Sequence, residues 1–237
     1  PNDYIAGFPD HPHRGFITLT YMLDGHMLHQ DSMGNRGDLR AGGAQWMKAA
    51  SGVIHSEMPQ QSDGLMRGFQ LWINLPAAEK MSDPAYQEFS AQAIPEITEA
   101  GVWVKILAGS YAGQRGPIND PHTHLHYLDV RLAPNRGFTW ALTSTHTAFV
   151  YIFEGSASLG EEALPQHSLA VLSAGDQAVL HAGDQGARAI LVAGQALNEP
   201  IVQYGPFVMS TPAEIEQAIN DYRHNRLVQK NPSRVSA

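Results

Sequence analysis

Thr20-Tyr21-Met22-Leu23-Asp24-Gly25 (TYMLDG) returns 130 residues later as Val150-Tyr151-Ile152-Phe153-Glu154-Gly155 (VYIFEG). Each copy is an apolar run rich in strand formers, closed by an acidic residue and a glycine, so each reads as a strand running into a turn. Ala41-Gly42-Gly43 is answered by Ala174-Gly175-Asp176 at a slightly larger offset. Two similar units of six to eight strands explain both echoes. The boundary is expected in the loop-like stretch 109–121 (GSYAGQRGPINDP), which divides the chain into 1–110 and 111–237.

Working outward from the repeat, most of the chain reads as strand. Phe16 to Leu23, Phe69 to Leu75, Val102 to Leu107, Leu125 to Leu132, Ala148 to Phe153 and Ala189 to Val192 are β-branched or aromatic runs between Gly, Asn, Asp and Pro clusters. That spacing predicts an all-β fold of two tandem barrels. One helix is expected near the end. Thr211-Pro212-Ala213-Glu214 has the form of a capping box with proline at the first helical position. Ile215, Ala218, Ile219 and Tyr222 then recur at helical spacing, giving an apolar face assigned to the second barrel. The chain beyond about Leu227 reads as a loose tail.

Composition narrows the function classes. The 237 residues carry a net charge of -8 with both signs scattered and no basic run. No direct nucleic-acid partner is therefore expected, because phosphate contacts need clustered Lys and Arg. No stretch approaches the roughly 20 apolar residues of a membrane span. There is no cysteine, which removes disulfides, thiolate ligands and thiol nucleophiles and fits a cytoplasmic protein. The chain opens on Pro1 rather than Met, which leaves open what precedes it.

The twelve histidines carry more information. His11-Pro12-His13 precedes a strand, and His55-Ser56-Glu57 follows Gly52-Val53-Ile54. Residues two apart in an extended chain share a face, so each pair presents two ligands side by side. Pro12 also holds His11 extended. If the two strands are neighbours, three imidazoles and one carboxylate converge on one point. Such a set suits Fe(II) and also takes Mn, Co, Ni, Cu or Zn, with open positions left for chemistry. The repeat supplies a control. The same offsets carry His11 and His13 to Ala141 and Thr143, and His55 and Glu57 to Ala187 and Ala189. One metal per chain is expected, in the first barrel.

HPHRGF at 11–16, HQDSMGNRG at 29–37, QWM at 45–47, HSEMP at 55–59, LWINLP at 71–76 and GPFVM at 205–209 together resemble the pirins over nearly the whole chain. The resemblance implies a bicupin, two jelly-roll barrels with one mononuclear iron in the N-terminal barrel. Its ligands would be His11, His13, His55 and Glu57. Some pirins are quercetin 2,3-dioxygenases, opening the flavonol ring with O₂ and releasing carbon monoxide. Others are regulators that bind transcription factors or metabolic enzymes, so a protein partner is the alternative reading. Two departures stand out. Ile17 replaces the usual Glu after HPHRGF, where the general cupin pattern puts a ligand. Lys48-Ala49-Ala50-Ser51-Gly52 replaces the usual Thr-Ala-Gly-Arg-Gly.

Within the oxygenase reading, Glu57 is the proton acceptor for a small aromatic substrate. Trp46 and Met47 are expected in the substrate pocket, whereas Phe69 and Trp72 are assigned to ordinary core. His122, His124 and His126 would share one strand face, and are read as hydrogen-bonded rather than as a second metal site. His29 and Asp31 are read as loop architecture. A monomer is expected, since two fused barrels bury what two separate cupin subunits would bury between them.

Overall fold

The computed structural model describes residues 3–228. The architecture is all-β with one α-helix, in two barrel units. One unit is formed by the chain up to Gln92 together with a return segment from Asn198 onward. The other is Ala93–Leu197.

The first unit has two four-stranded antiparallel sheets. In one, β1 (Phe8–His13), β6 (Val53–Pro59), β3 (His26–Asp31) and β4 (Arg36–Arg40) lie side by side in that order. In the other the order is β7 (Arg67–Asn74), β2 (Phe16–Asp24), β5 (Ala44–Lys48) and β8 (Ala85–Phe89). Met22 of β2 packs with Met27 of β3 and Leu39 of β4, and Met47 of β5 packs with Val53 just across. The sheets thus close on a shared interior, as a jelly roll requires. Strand β2 is buried on both faces along nearly its whole length.

The second unit is a single eight-stranded sheet. Its main path runs β9 (Glu96–Glu99), β10 (Val102–Ala108), β13 (His126–Leu132), β18 (Gln177–Gln195), β15 (His146–Leu159) and β16 (Glu162–Leu164). Strand β14 (Gly137–Ala141) joins β18, and β17 (Leu169–Val171) joins β15. A small hairpin, β11 (Ser110–Tyr111) with β12 (Gln114–Arg115), stands apart. The long strands β15 and β18 turn through bulges, which lets one strand serve both sides of a barrel. Its interior is apolar throughout, with Leu128, Val130, Trp140, Val150, Leu180 and Leu191 buried together. Ala187 and Ala189 belong to that same core.

The expected division at 110/111, with the helix in the second barrel, is corrected. The chain crosses over at about residue 92, returns at 198, and adds β19 (Val202–Tyr204), β20 (Phe207–Met209) and α1 (Pro212–Arg223) to the first unit. The capping box of α1 is present: Thr211 accepts from the Glu214 amide, and the Glu214 carboxylate accepts from the Thr211 amide. Ile215 and Ala218 bury against Phe207, Met209 and Leu227. Tyr222 is exposed, and its neighbour Asp221 is buried instead. The reason is Arg14, which is 1% exposed and pairs with Asp221 at 2.9 Å. Its other donors reach the carbonyls of Ser51 and Leu227. A buried guanidinium needs all its partners, so Arg14 ties the end of β1 to the returning helix. Gly15 lets the two segments touch. Its φ is +91°, and a Cβ there would lie 2.0 Å from the Val208 carbonyl oxygen. Leu227 is buried, and the tail expected beyond it lies, from 229 onward, outside the described residues. No helix among them is long and apolar enough to cross a membrane.

Candidate metal centre

Strand β6 alternates with period two. Val53, His55 and Glu57 turn inward and are buried, while Ile54 and Ser56 are only partly so. Strand β1 pairs with it antiparallel, placing His11 directly opposite His55 and His13 opposite Val53. A bulge between Phe8 and His11 shifts the register just ahead of the pair. The ring centroids of His11 and His55 lie 4.2 Å apart, and those of His13 lie 4.9 Å from each. One nitrogen of each ring falls within 4.8 Å of the others. His29, His55 and Glu57 satisfy the same limit as a second group, so His55 belongs to both.

The neighbours hold these side chains in place. His11 Nδ1 donates to the Pro9 carbonyl at 2.9 Å, since a carbonyl can only accept. His55 Nδ1 meets His29 Nδ1 at 3.3 Å, and His29 Nε2 meets the Asp31 carboxylate at 3.2 Å. Glu57 accepts from the Gln70 amide at 3.2 Å and, at the outer limit, from the Thr20 hydroxyl at 3.5 Å. Gln70 in turn accepts from the Trp72 indole at 3.0 Å.

The electrostatics follow from burial. Loss of water, reinforced by His11, pushes the His13 imidazole down to about 4, with a Pro206 carbonyl opposing weakly. Burial and the three neighbouring imidazoles push His55 down to about 2. Both are therefore neutral, the form that ligates a metal. Burial raises the Glu57 carboxyl above its ordinary value, against the pull of His29 and Gln70. Burial would raise Asp31 too, but hydrogen bonds from His29 and Asn35 outweigh it and hold that carboxyl low. Nε2 of His13 and Nε2 of His55 are buried with no hydrogen-bond partner. Such orphans are costly in a protein interior, and neutral imidazole nitrogens facing a carboxylate form a donor set for a divalent transition metal. The residues fit the ion.

A pocket of about 640 Å³ opens over this cluster. His11, His13, Thr20, Glu57, Gln70 and Trp72 line it, with Met22, Met27 and Met66 as an apolar wall. The wall differs from the one expected. Trp46 and Met47 are not among its lining residues, while Phe69 and Trp72 are. Trp46 sits opposite Leu19, on the face of the sheet turned away from Thr20, and Met47 is packed with Met33, Ala49 and Val53. Ile17 shares that outward face, because Phe16 touches the rings of His13 and Trp72 and Thr20 reaches Glu57. A carboxylate at 17 would point away from the cluster.

The other histidines fall out differently from the sequence reading. Residues 121–123 form a turn and His124 lies at φ +49° outside any strand, so neither His122 nor His124 shares a strand face with His126. The His126 ring faces His146 at 6.0 Å, and no group of three potential ligands forms there among the described residues. His29, expected in a loop, lies on β3, is 1% exposed, and stacks on Tyr86.

Two family models match the chain: pirin over residues 1–73, and the pirin C-terminal cupin domain over residues 127–228. A protein of Pseudomonas aeruginosa, provisionally named a quercetin 2,3-dioxygenase, is 47% identical, covering 94% of this chain and 81% of its own length. A pirin-like protein of Solanum lycopersicum is 46% identical, over 92% of this chain and 76% of its own. The crystal structure of quercetin 2,3-dioxygenase from Acinetobacter baumannii superposes with a TM-score of 0.89 at 36% identity, covering 94% and 79% of the two chains. Matched along nearly its whole length, with both cupin domains represented, this chain belongs to the pirin family.

Proposed function

We propose that this protein is a dioxygenase that opens the ring of flavonols such as quercetin with O₂. His11, His13, His55 and Glu57 hold one Fe(II) per chain, or another divalent transition metal in its place. The observation that carries the reading is the cluster of His11, His13 and His55, with His55 also grouped with the buried carboxylate of Glu57, beside a largely apolar pocket that His11, His13 and Glu57 line. Its volume is in the range of pockets that enclose small ligands. The names borne by the Pseudomonas and Acinetobacter relatives agree with it.

A metal held there would supply the positive charge that favours an ionised substrate oxygen, while the electrons that reduce O₂ come from the flavonol itself. The chain's own groups supply the rest. Trp72 and the three methionines form an adaptable wall for a flat aromatic ring. The substrate's 3-hydroxyl then faces Glu57, whose carboxylate takes its proton. Gln70 and Thr20 keep that carboxylate turned into the pocket. Burial raises its affinity for a proton, the direction that favours such a transfer.

The test is aerobic bleaching of quercetin by iron-loaded protein. Bleaching should be rapid with the wild type, absent with Glu57→Gln although metal stays bound, and absent with His55→Ala because metal is lost. A fully loaded wild type that leaves quercetin intact, or a Glu57→Gln variant of undiminished rate, sinks the proposal.

A further inference from the structure

We infer that His29 and Asp31 are positioning residues for the metal, a hydrogen-bonded relay that fixes which nitrogen of His55 is free to bind it. The inference rests on the reading of His55 as a ligand and concerns what makes it one.

Asp31 is anchored from four directions. Its Oδ1 accepts from the backbone amides of Met33 and Asn35, both at 2.9 Å. Its Oδ2 accepts from Asn35 Nδ2 at 2.9 Å and faces His29 Nε2 at 3.2 Å. An ionised carboxylate has acceptors only, so His29 Nε2 must carry a hydrogen. With a single proton on the ring, Nδ1 keeps a bare lone pair. That atom faces His55 Nδ1 at 3.3 Å, so His55 Nδ1 must be the donor. The remaining nitrogen of neutral His55, Nε2, is left with a lone pair, and it is the atom that is buried without a partner. Every role in the relay follows from the carboxylate and the single proton on His29. Stacking of His29 on Tyr86, with ring centroids 4.8 Å apart, keeps the middle ring in plane. His11 achieves the same result by a shorter route, through the Pro9 carbonyl. Outer partners of this kind orient ligating histidines and set their basicity.

The relay makes an unusual demand of Asp31→Asn. The two backbone amides still require an oxygen at the Oδ1 position, so the new amide nitrogen must occupy the Oδ2 position. There it donates to His29 Nε2 and reverses the relay. His29 Nδ1–H then points at His55 Nδ1, and the proton of His55 moves to Nε2, where it blocks the metal. His29→Gln does the opposite of harm: its amide oxygen accepts from His55 Nδ1 while its NH₂ donates to Asp31. His29→Phe keeps the stacking and removes both hydrogen bonds.

The experiment is anaerobic titration of the four metal-free proteins with Co(II), followed by its visible absorption bands, with thermal unfolding recorded before metal is added. The wild type and His29→Gln should bind with similar affinity and similar bands. Asp31→Asn and His29→Phe should bind about 10- to 100-fold more weakly, with altered bands, while still folded. Equal affinity and spectra across the folded variants would overturn the relay alone. So would a His29→Gln variant as weak as His29→Phe. A wild type that binds no Co(II) would remove the metal site itself, and the relay with it.

Discussion

Acidifying the metal-free protein should destabilise it over a defined window, because the His13 and His55 imidazoles are held neutral in the native state. The His13 imidazole is pushed from an ordinary 6.5 down to about 4, first by burial and then by His11. Above pH 6.5 neither the folded nor the unfolded chain carries a proton on this ring, and its neutral packing contributes in full. As pH falls from 6.5 to 4 the unfolded chain takes up a proton that the native protein refuses, so stability is lost across that interval. The displacement is 2.5 units, and at about 1.4 kcal/mol per unit it corresponds to a loss of about 3 kcal/mol. Glu57 works in the opposite sense, since its raised carboxyl binds a proton more readily in the native protein. The raw acid curve therefore mixes both groups, along with His55. A difference experiment separates them: urea unfolding of the wild type and of His13→Gln, both stripped of metal, at about pH 7.5 and about pH 4.5. The wild type should lose about 3 kcal/mol more than the variant between those conditions. Parallel losses would show that His13 titrates normally and that the three rings are not packed as described.

Two further outcomes are expected. Asp221→Ala strands the buried Arg14 guanidinium with two carbonyls and no counter-charge, and should cost about 3–5 kcal/mol in urea unfolding; a loss below about 1 kcal/mol would mean that the guanidinium reaches water. Gln70→Leu leaves Glu57 with only the distant Thr20 hydroxyl, so metal affinity measured by calorimetry should fall by about tenfold and quercetin turnover with it; unchanged affinity would show that Glu57 needs no such support.

The clustering of His11, His13, His55 and Glu57 was legible because the spacing within each pair matches the pleat. His11 and His13, or His55 and Glu57, can share a face only in an extended chain, and both pairs sit where strand signals begin. His29 escaped because polar residues crowd around it. Gln30, Asp31 and Ser32 resemble a turn, but the strand runs to Asp31, which caps the turn that follows by binding the amides of Met33 and Asn35. The usable signal lay upstream, where Met27 and His29 continue one inward alternation. The return of the C-terminal segment could not be read at all. Helix α1 shows an apolar face but not its destination, and the residue that sets it, Arg14, lies 207 positions before its partner Asp221.

The misplaced pocket wall has a deeper cause. Trp46-Met47 on β5 and Leu71-Trp72 on β7 each put large side chains on both faces of a strand, so composition alone assigns neither face to the interior. Register with β2 decides it: Leu19 stands opposite Trp46 and Leu71, whereas Thr18 stands opposite Met47 and Trp72. Even this would not have been enough, since β2 is buried on both sides and shows no polar alternation to mark an outside. What marks the inner face is the polar row Thr18 and Thr20 with Gln70 beside them, an arrangement wasteful in a core and useful only if a charged group lies across from it. Glu57 is that group. In a strand buried on both faces, the face that carries unexpected polar side chains is the one turned toward the chemistry, and the purely apolar face is the one that serves packing.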